Sequence, residues 1–265
     1  MSDDTKKPFD LNMHTARLLM REPFFAALSR RIDKISTTSI PTAGVRVNPD
    51  SAQFELIYNP EFMGSLSDTH KQGVLMHEFY HLVFEHVTGR KPADGLKRID
   101  NIAMDLAINC HISSLLPSEA HPGPEVKGEP MKACIPGEGL FKDLPPYKTY
   151  EWYLEELKKM GEDQEEGAEG KGGAGDPFGN MDSLDSHDDF GEVDGTTQEI
   201  ASERMKEAIK KKVLSDKKII VLGGDNYRIG MGGGAVSSVE TGAFDNVLEL
   251  NAIQRSNPEM QKRVA

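Results

Sequence analysis

Cysteine is scarce: among 265 residues there are two, Cys110 and Cys134. Their spacing is not that of a metal-binding pair, and their number does not make a disulfide scaffold, so a reducing compartment is expected. Basic residues are also in deficit, 31 Lys and Arg against 43 Asp and Glu, for a net charge of −12. That balance argues against nucleic acid as the main partner, because phosphate binding needs a basic face. No apolar run approaches the roughly 18 to 20 residues of a membrane span. The opening Met1-Ser2-Asp3-Asp4-Thr5-Lys6-Lys7 carries no apolar signal core. The expectation is a soluble, cytoplasmic protein with neither nucleic acid nor membrane as partner. Hydrophobic residues, at 37%, fall short of the usual share for a compact chain, which implies that part of it is not packed.

What is present reads as an α+β chain. Leu18, Leu19, Phe24, Phe25, Leu28 and Ile32 keep helical spacing from about Asn12 to Ile35, with a kink or restart at Pro23. Gly44–Val47 and Gln53–Tyr58 flank the turn cluster Asn48-Pro49-Asp50-Ser51 and read as a β-hairpin. A helix capped by Ser67 or Asp68 is expected to run to about Val87, and a second from about Lys97 to Leu116, stopped by Pro117. Pro117 to Pro146 reads as an ordered but irregular loop, and Thr149 as the cap of a short amphipathic helix. Residues 161–195 are acidic and glycine-rich, the composition of a flexible insert. An amphipathic segment, Thr196 to about Leu214, and a glycine-rich tail with the apolar run Ile219–Leu222 follow. The expected division is 1–160, 161–195 and 196–265.

The chemistry gathers at His77-Glu78-Phe79-Tyr80-His81. On a helix, residues four apart share a face, so both imidazoles can meet one cation, while Glu78 is placed to act on a water. By chance this pattern arises in roughly one or two of every hundred chains of such length. Here Val74-Leu75-Met76 precede it and Leu82-Val83-Phe84 follow, the setting of a buried helix. A catalytic zinc site needs a third protein ligand. Glu85, His86, Asp100, Asp105, Asn109, His111, His121 and His187 are the candidates, with Asp105 first: an ionisable residue inside Asn101-Ile102-Ala103-Met104-Asp105-Leu106-Ala107-Ile108-Asn109 is costly to bury unless paired or metal-bound. Asn109, one turn on, is a partner for a ligand. His86 reads as a solvent-facing or helix-end histidine. His187, in Asp185-Ser186-His187, is either an oxyanion stabiliser, an alternative third ligand or a solvated histidine in an acidic loop.

Three stretches, Ile57-Tyr58-Asn59-Pro60-Glu61-Phe62, Val74 to Leu82 and Asn101 to Asn109, together with Asp185-Ser186-His187, resemble the putative metallopeptidase domain family. In bacteria and phages that domain often precedes a von Willebrand A-like domain. The resemblance spans roughly the first 190 residues. It implies a zincin-like fold, with a small, mostly antiparallel sheet or hairpin packed on the His-Glu-x-x-His helix and a second ligand-bearing helix. It also implies peptidase activity, an AAA+ ATPase partner in some relatives, and host cytoplasm if the protein is phage-encoded. The chain departs from longer relatives in lacking an Asp-x-Ser-x-Ser motif, so a complete von Willebrand A domain is not expected.

The function expected is therefore a zinc metallopeptidase acting on a peptide or protein substrate. Zn²⁺ would be held by His77, His81 and Asp105, with Glu78 as general base and His187 as a further catalytic candidate. The strand Gln53–Tyr58 is expected to offer a free edge to an extended substrate. The alternatives are a catalytically silent metal-binding interaction module and a phage or bacterial accessory protein acting through its acidic insert and tail.

Overall fold

A computed structural model of the chain describes residues 9, 11–90, 92, 95–126, 128–166, 193–216, 219–221, 226–230 and 236–240. Pro23 does restart the first helical stretch: α1 spans Leu11–Arg21 and α2 Pro23–Ser29, with the proline in the first turn of α2, where a missing N–H costs nothing. Residues 32–35, expected as the end of that helical stretch, instead fall in strand β1, Ile32–Ser36. Ile32 lies four residues after Leu28, so its spacing suits either structure. Pairing with β3 (Phe54–Tyr58) decides the matter, in the register Ile32↔Phe54.

The expected hairpin forms. β2, Ala43–Val47, runs antiparallel to β3 with Val45 opposite Leu56. Asn48 Oδ1 accepts from the amides of Asp50 and Ser51 at 2.9 and 3.0 Å, closing the turn. The sheet order is β1-β3-β2, with β1 parallel to β3. The sheet is therefore mixed rather than mostly antiparallel, and β3 has no free edge: the chain crosses from β1 to β2 before β3 inserts between them. Asn59 pins that crossing, its N–H donating to Thr42 and its Nδ2 to Ile40 at 2.8 and 2.9 Å, while its Oδ1 caps the short α3, Pro60–Ser65.

α4 spans Asp68–Val83, capped by Ser67, whose Oγ accepts from His70 N at 3.1 Å. Every residue from Gln72 to Val83 is buried, so α4 is enclosed all round rather than amphipathic. Gly73 permits part of this: a Cβ there would stand 2.2 Å from the carbonyl oxygen of Leu115. α5, Arg98–Asn109, is buried from Ile102 to Asn109 and ends before the expected limit, because residues 113–115 tighten into a 3-10 turn. The proline-rich loop folds a two-residue hairpin, β4 (Glu125–Val126) with β5 (Glu129–Pro130), and buries Met131, Cys134, Ile135, Phe141 and Leu144. α6, Tyr150–Glu166, is longer than expected and buries Tyr153 and Leu157.

α7, Gly195–Asp216, is capped by Asp194, whose Oδ1 accepts from Thr196 and Thr197 at 3.0 and 3.1 Å. Its stripe Ala201, Met205, Ala208 and Ile209 is buried in the same apolar cluster as Phe25, Phe79 and Leu82. Beyond it, β6 (Ile219–Val221), β7 (Asn226–Gly230) and β8 (Val236–Glu240) pair as an antiparallel meander. Among the described residues, no helix is long and apolar enough to cross a membrane.

Candidate metal centre

An enclosed helix carries its polar side chains into the interior. His77, Glu78 and His81 on α4, and Asp105 and Asn109 on α5, all have 0% exposure. The four-residue spacing places the two imidazoles over one another, with Nε2 of His77 3.0 Å from Nε2 of His81. Asp105 Oδ1 stands 3.5 and 3.6 Å from those two nitrogens. Ligands at about 2.0 to 2.1 Å from a tetrahedral ion lie about 3.3 Å from one another. The triangle is therefore the size of one face of such a tetrahedron. The three groups could hold a metal ion, and a donor set of two imidazoles and a carboxylate suits a small divalent transition metal.

Electrostatics points the same way. A carboxylate fully removed from water costs several kcal/mol unless an opposing charge compensates. A cation held by the three groups would supply that charge.

The far side of each imidazole is also engaged. His77 Nδ1 lies 2.8 Å from Asn109 Oδ1, and Asn109 Nδ2 donates to the carbonyl of Cys134 at 2.9 Å. With the amide so oriented, Oδ1 accepts from the His77 Nδ1–H, and the Nε2 lone pair faces Asp105 and His81. His81 Nδ1 lies 3.1 Å from Nδ1 of His86; with the proton of that contact on His81, its Nε2 presents a lone pair as well.

Of the two readings of His86, the structure keeps one: it lies in the turn that ends α4, and it is not solvent-facing but fully buried behind His81. The reason lies in how α4 ends. Phe84 caps the helix and Glu85 adopts a positive φ of 60°. The amide of His86 then reaches back to the carbonyl of His81 at 2.9 Å and that of Glu85 to Leu82 at 3.2 Å. These two bonds make a Schellman turn with glutamate at the position glycine usually occupies, at a backbone cost of about 1 kcal/mol or more.

The other candidates are placed elsewhere. Asp100 caps α5, accepting from Lys97 N at 2.9 Å and from the Tyr150 hydroxyl at 3.0 Å; burial, with the Asp100 charge behind it, raises the pKa of that phenol. His111 stacks on Tyr80 with centroids 5.8 Å apart and meets Tyr147 in a tilted contact at 5.2 Å, and His121 is exposed. Tyr80 is fully buried in the core, against Phe25 and Phe84. His187 lies outside the described residues. Both cysteines are buried and neither forms a disulfide. Sequence reasoning missed the Cys134 carbonyl, for which no side-chain signal exists, and, although it named His86 as a candidate, the contact of His86 with His81.

The class defined by this fold and centre is an α+β domain with a buried His-His-Asp cluster built on a His-Glu-x-x-His helix. The chain belongs to the family described as "Putative metallopeptidase domain", whose model matches residues 6–220. A stretch of 60 residues is 45% identical to phosphoribosylformylglycinamidine synthase of Schizosaccharomyces pombe, covering 23% of this chain and 4% of that protein. No solved structure matches the chain.

Proposed function

We propose that the protein is a zinc-dependent metallopeptidase of the zincin type. The observation that carries the reading is the convergence of His77 Nε2, His81 Nε2 and Asp105 Oδ1 beside the buried Glu78. These three residues hold the ion, and Asn109 and His86 hold the imidazoles. When bound, Zn²⁺ supplies Lewis acidity, lowering the pKa of water and polarising a carbonyl. Glu78 takes a proton onto a carboxylate oxygen as water attacks the peptide carbonyl carbon, then returns it to the amine nitrogen as the C–N bond breaks. His187 is the further candidate for stabilising the charged oxygen.

The test is metal analysis beside turnover. Purified wild type is expected to carry one zinc per chain and to cleave peptides, and Glu78→Gln to keep the zinc and lose the cleavage. Wild type that takes up no zinc sinks the reading. The complete burial of His77, Glu78, His81 and Asp105 favours a second reading, in which the metal is structural and the domain is an interaction module. Stoichiometric zinc with no cleavage that Glu78→Gln abolishes would select it.

A further inference from the structure

The Schellman turn that brings His86 to His81 is not held by its own backbone preference, since Glu85 occupies a conformation that favours glycine. Its own segment supplies two backbone bonds, from Thr88 and Arg90 N to the Glu85 carbonyl at 3.0 Å each, and the Glu85 side chain is held from outside. The Glu85 carboxylate is buried, with 7% exposure. Its Oε1 accepts a hydrogen bond from the Ser202 hydroxyl and lies 3.6 Å from Lys206 Nζ. One turn before Ser202, Gln198 Nε2 donates to the carbonyl of Thr88 at 2.7 Å. Gln198, Ser202 and Lys206 are spaced four apart on α7, so one polar stripe of that helix meets the end of α4 from Glu85 to Thr88. The neighbouring stripe, Ala201, Met205 and Ala208, is buried in the core and sets the height at which the polar one lies.

We propose that α7 is the positioning element of the metal centre: Ser202 and Lys206 latch Glu85 in its left-handed turn, and the turn presents His86 to Nδ1 of the ligand His81. The inference rests on the metal reading above. His86, Glu85, Ser202 and Lys206 are positioning residues; none belongs to the triangle of ligand atoms. The physical logic is that an imidazole with a fixed hydrogen-bond partner on Nδ1 has one tautomer and one ring orientation, and so gives up less freedom on binding a cation. Asn109 does this for His77 from α5; His86 does it for His81, but only while α7 is docked. The helix that follows the acidic insert in sequence thereby controls the affinity of a site built on residues 77–105.

The experiment is zinc affinity, by competition with a chromophoric chelator, on the full chain. Wild type binds one zinc. His86→Phe is expected to weaken binding ~10- to 100-fold, and His86→Gln, which keeps a polar group at the ring position, to recover much of the loss. The double variant Ser202→Ala/Lys206→Met is expected to weaken binding ~10-fold. Adding Glu85→Gly to it is expected to restore binding, because glycine accepts the turn without a latch. Far-UV circular dichroism confirms folding, and imidazole nitrogen NMR on the zinc-free chain reports the His81 tautomer, which should become mixed in His86→Phe. Wild type that binds zinc while both the His86→Phe and the latch variants bind as tightly would overturn this inference and leave the metal reading standing. Wild type that binds none removes both.

Discussion

His77 and His81 stand one turn apart on the same helix and touch the same carboxylate, yet their supports differ. His77 is backed by Asn109, a residue of α5, and Asn109 is in turn fixed by a backbone carbonyl of the loop, that of Cys134. His81 is backed by His86, from a turn of its own chain segment that needs Ser202 and Lys206 of α7 to keep its shape. The first support is made of groups that cannot leave without unpacking the core. The second contains a glutamate in a glycine conformation and a carboxylate whose partners lie far along the chain. A site supported in both ways has one side that is rigid with the fold and one side open to adjustment.

The comparison breaks most completely at the ligands themselves. Asp105→Ala removes the carboxylate common to both histidines and is expected to abolish zinc retention, read as metal per chain after dialysis; a variant that keeps one zinc would remove Asp105 from the ligand set. Next comes the rigid side. Asn109→Ala removes the buried hydrogen bonds to His77 and to the Cys134 carbonyl. It should cost about 1–3 kcal/mol in chemical denaturation and ~10- to 100-fold in zinc affinity; loss of stability with affinity unchanged would show that Asn109 is structural only.

Gly73→Ala sharpens the same side from a distance. Its Cβ would meet the Leu115 carbonyl oxygen at 2.2 Å, displacing the turn that leads into the Cys134 loop, and should destabilise by about 1–3 kcal/mol. Gly64→Ala is its control, since that Cβ finds Phe9 at an ordinary 3.9 Å and should leave the midpoint nearly unchanged. The smallest effect belongs to Cys110, next to Asn109. Burial pushes its thiol up to about 11, so the neutral form prevails across the physiological range. Alkylation at pH 8 is expected to be slow in the folded chain and to quicken on unfolding. A rapid native reaction would mean that the rigid side opens.

The pair of strands around Asn48–Ser51, the helix bearing His77 and His81, and the burial of Asp105 were all legible because each is local. Turn residues, four-residue spacing and a charge amid apolar residues declare themselves within a dozen positions. β1 was not legible, since Ile32 continues the helical spacing of Leu28 and becomes a strand residue only by pairing with Phe54. The lack of a free edge on β3 follows from the same non-local pairing. The role of His86 was hidden for another reason: its placement depends on a positive φ at Glu85, and a glutamate carries no sign of that in sequence.

The sequence by itself determined the candidate ligand types and their spacing on the two helices, because helix geometry converts separation along the chain into a shared face. It also determined the likeness to a metallopeptidase family, through motifs that are contiguous. The tertiary structure alone decided that the three side-chain atoms close into a triangle of 3.0 to 3.6 Å, that α4 is enclosed on every side from Gln72 onward, and that α7 reaches the end of α4. Those features come from packing between segments distant in the chain, where no local pattern states which surface meets which.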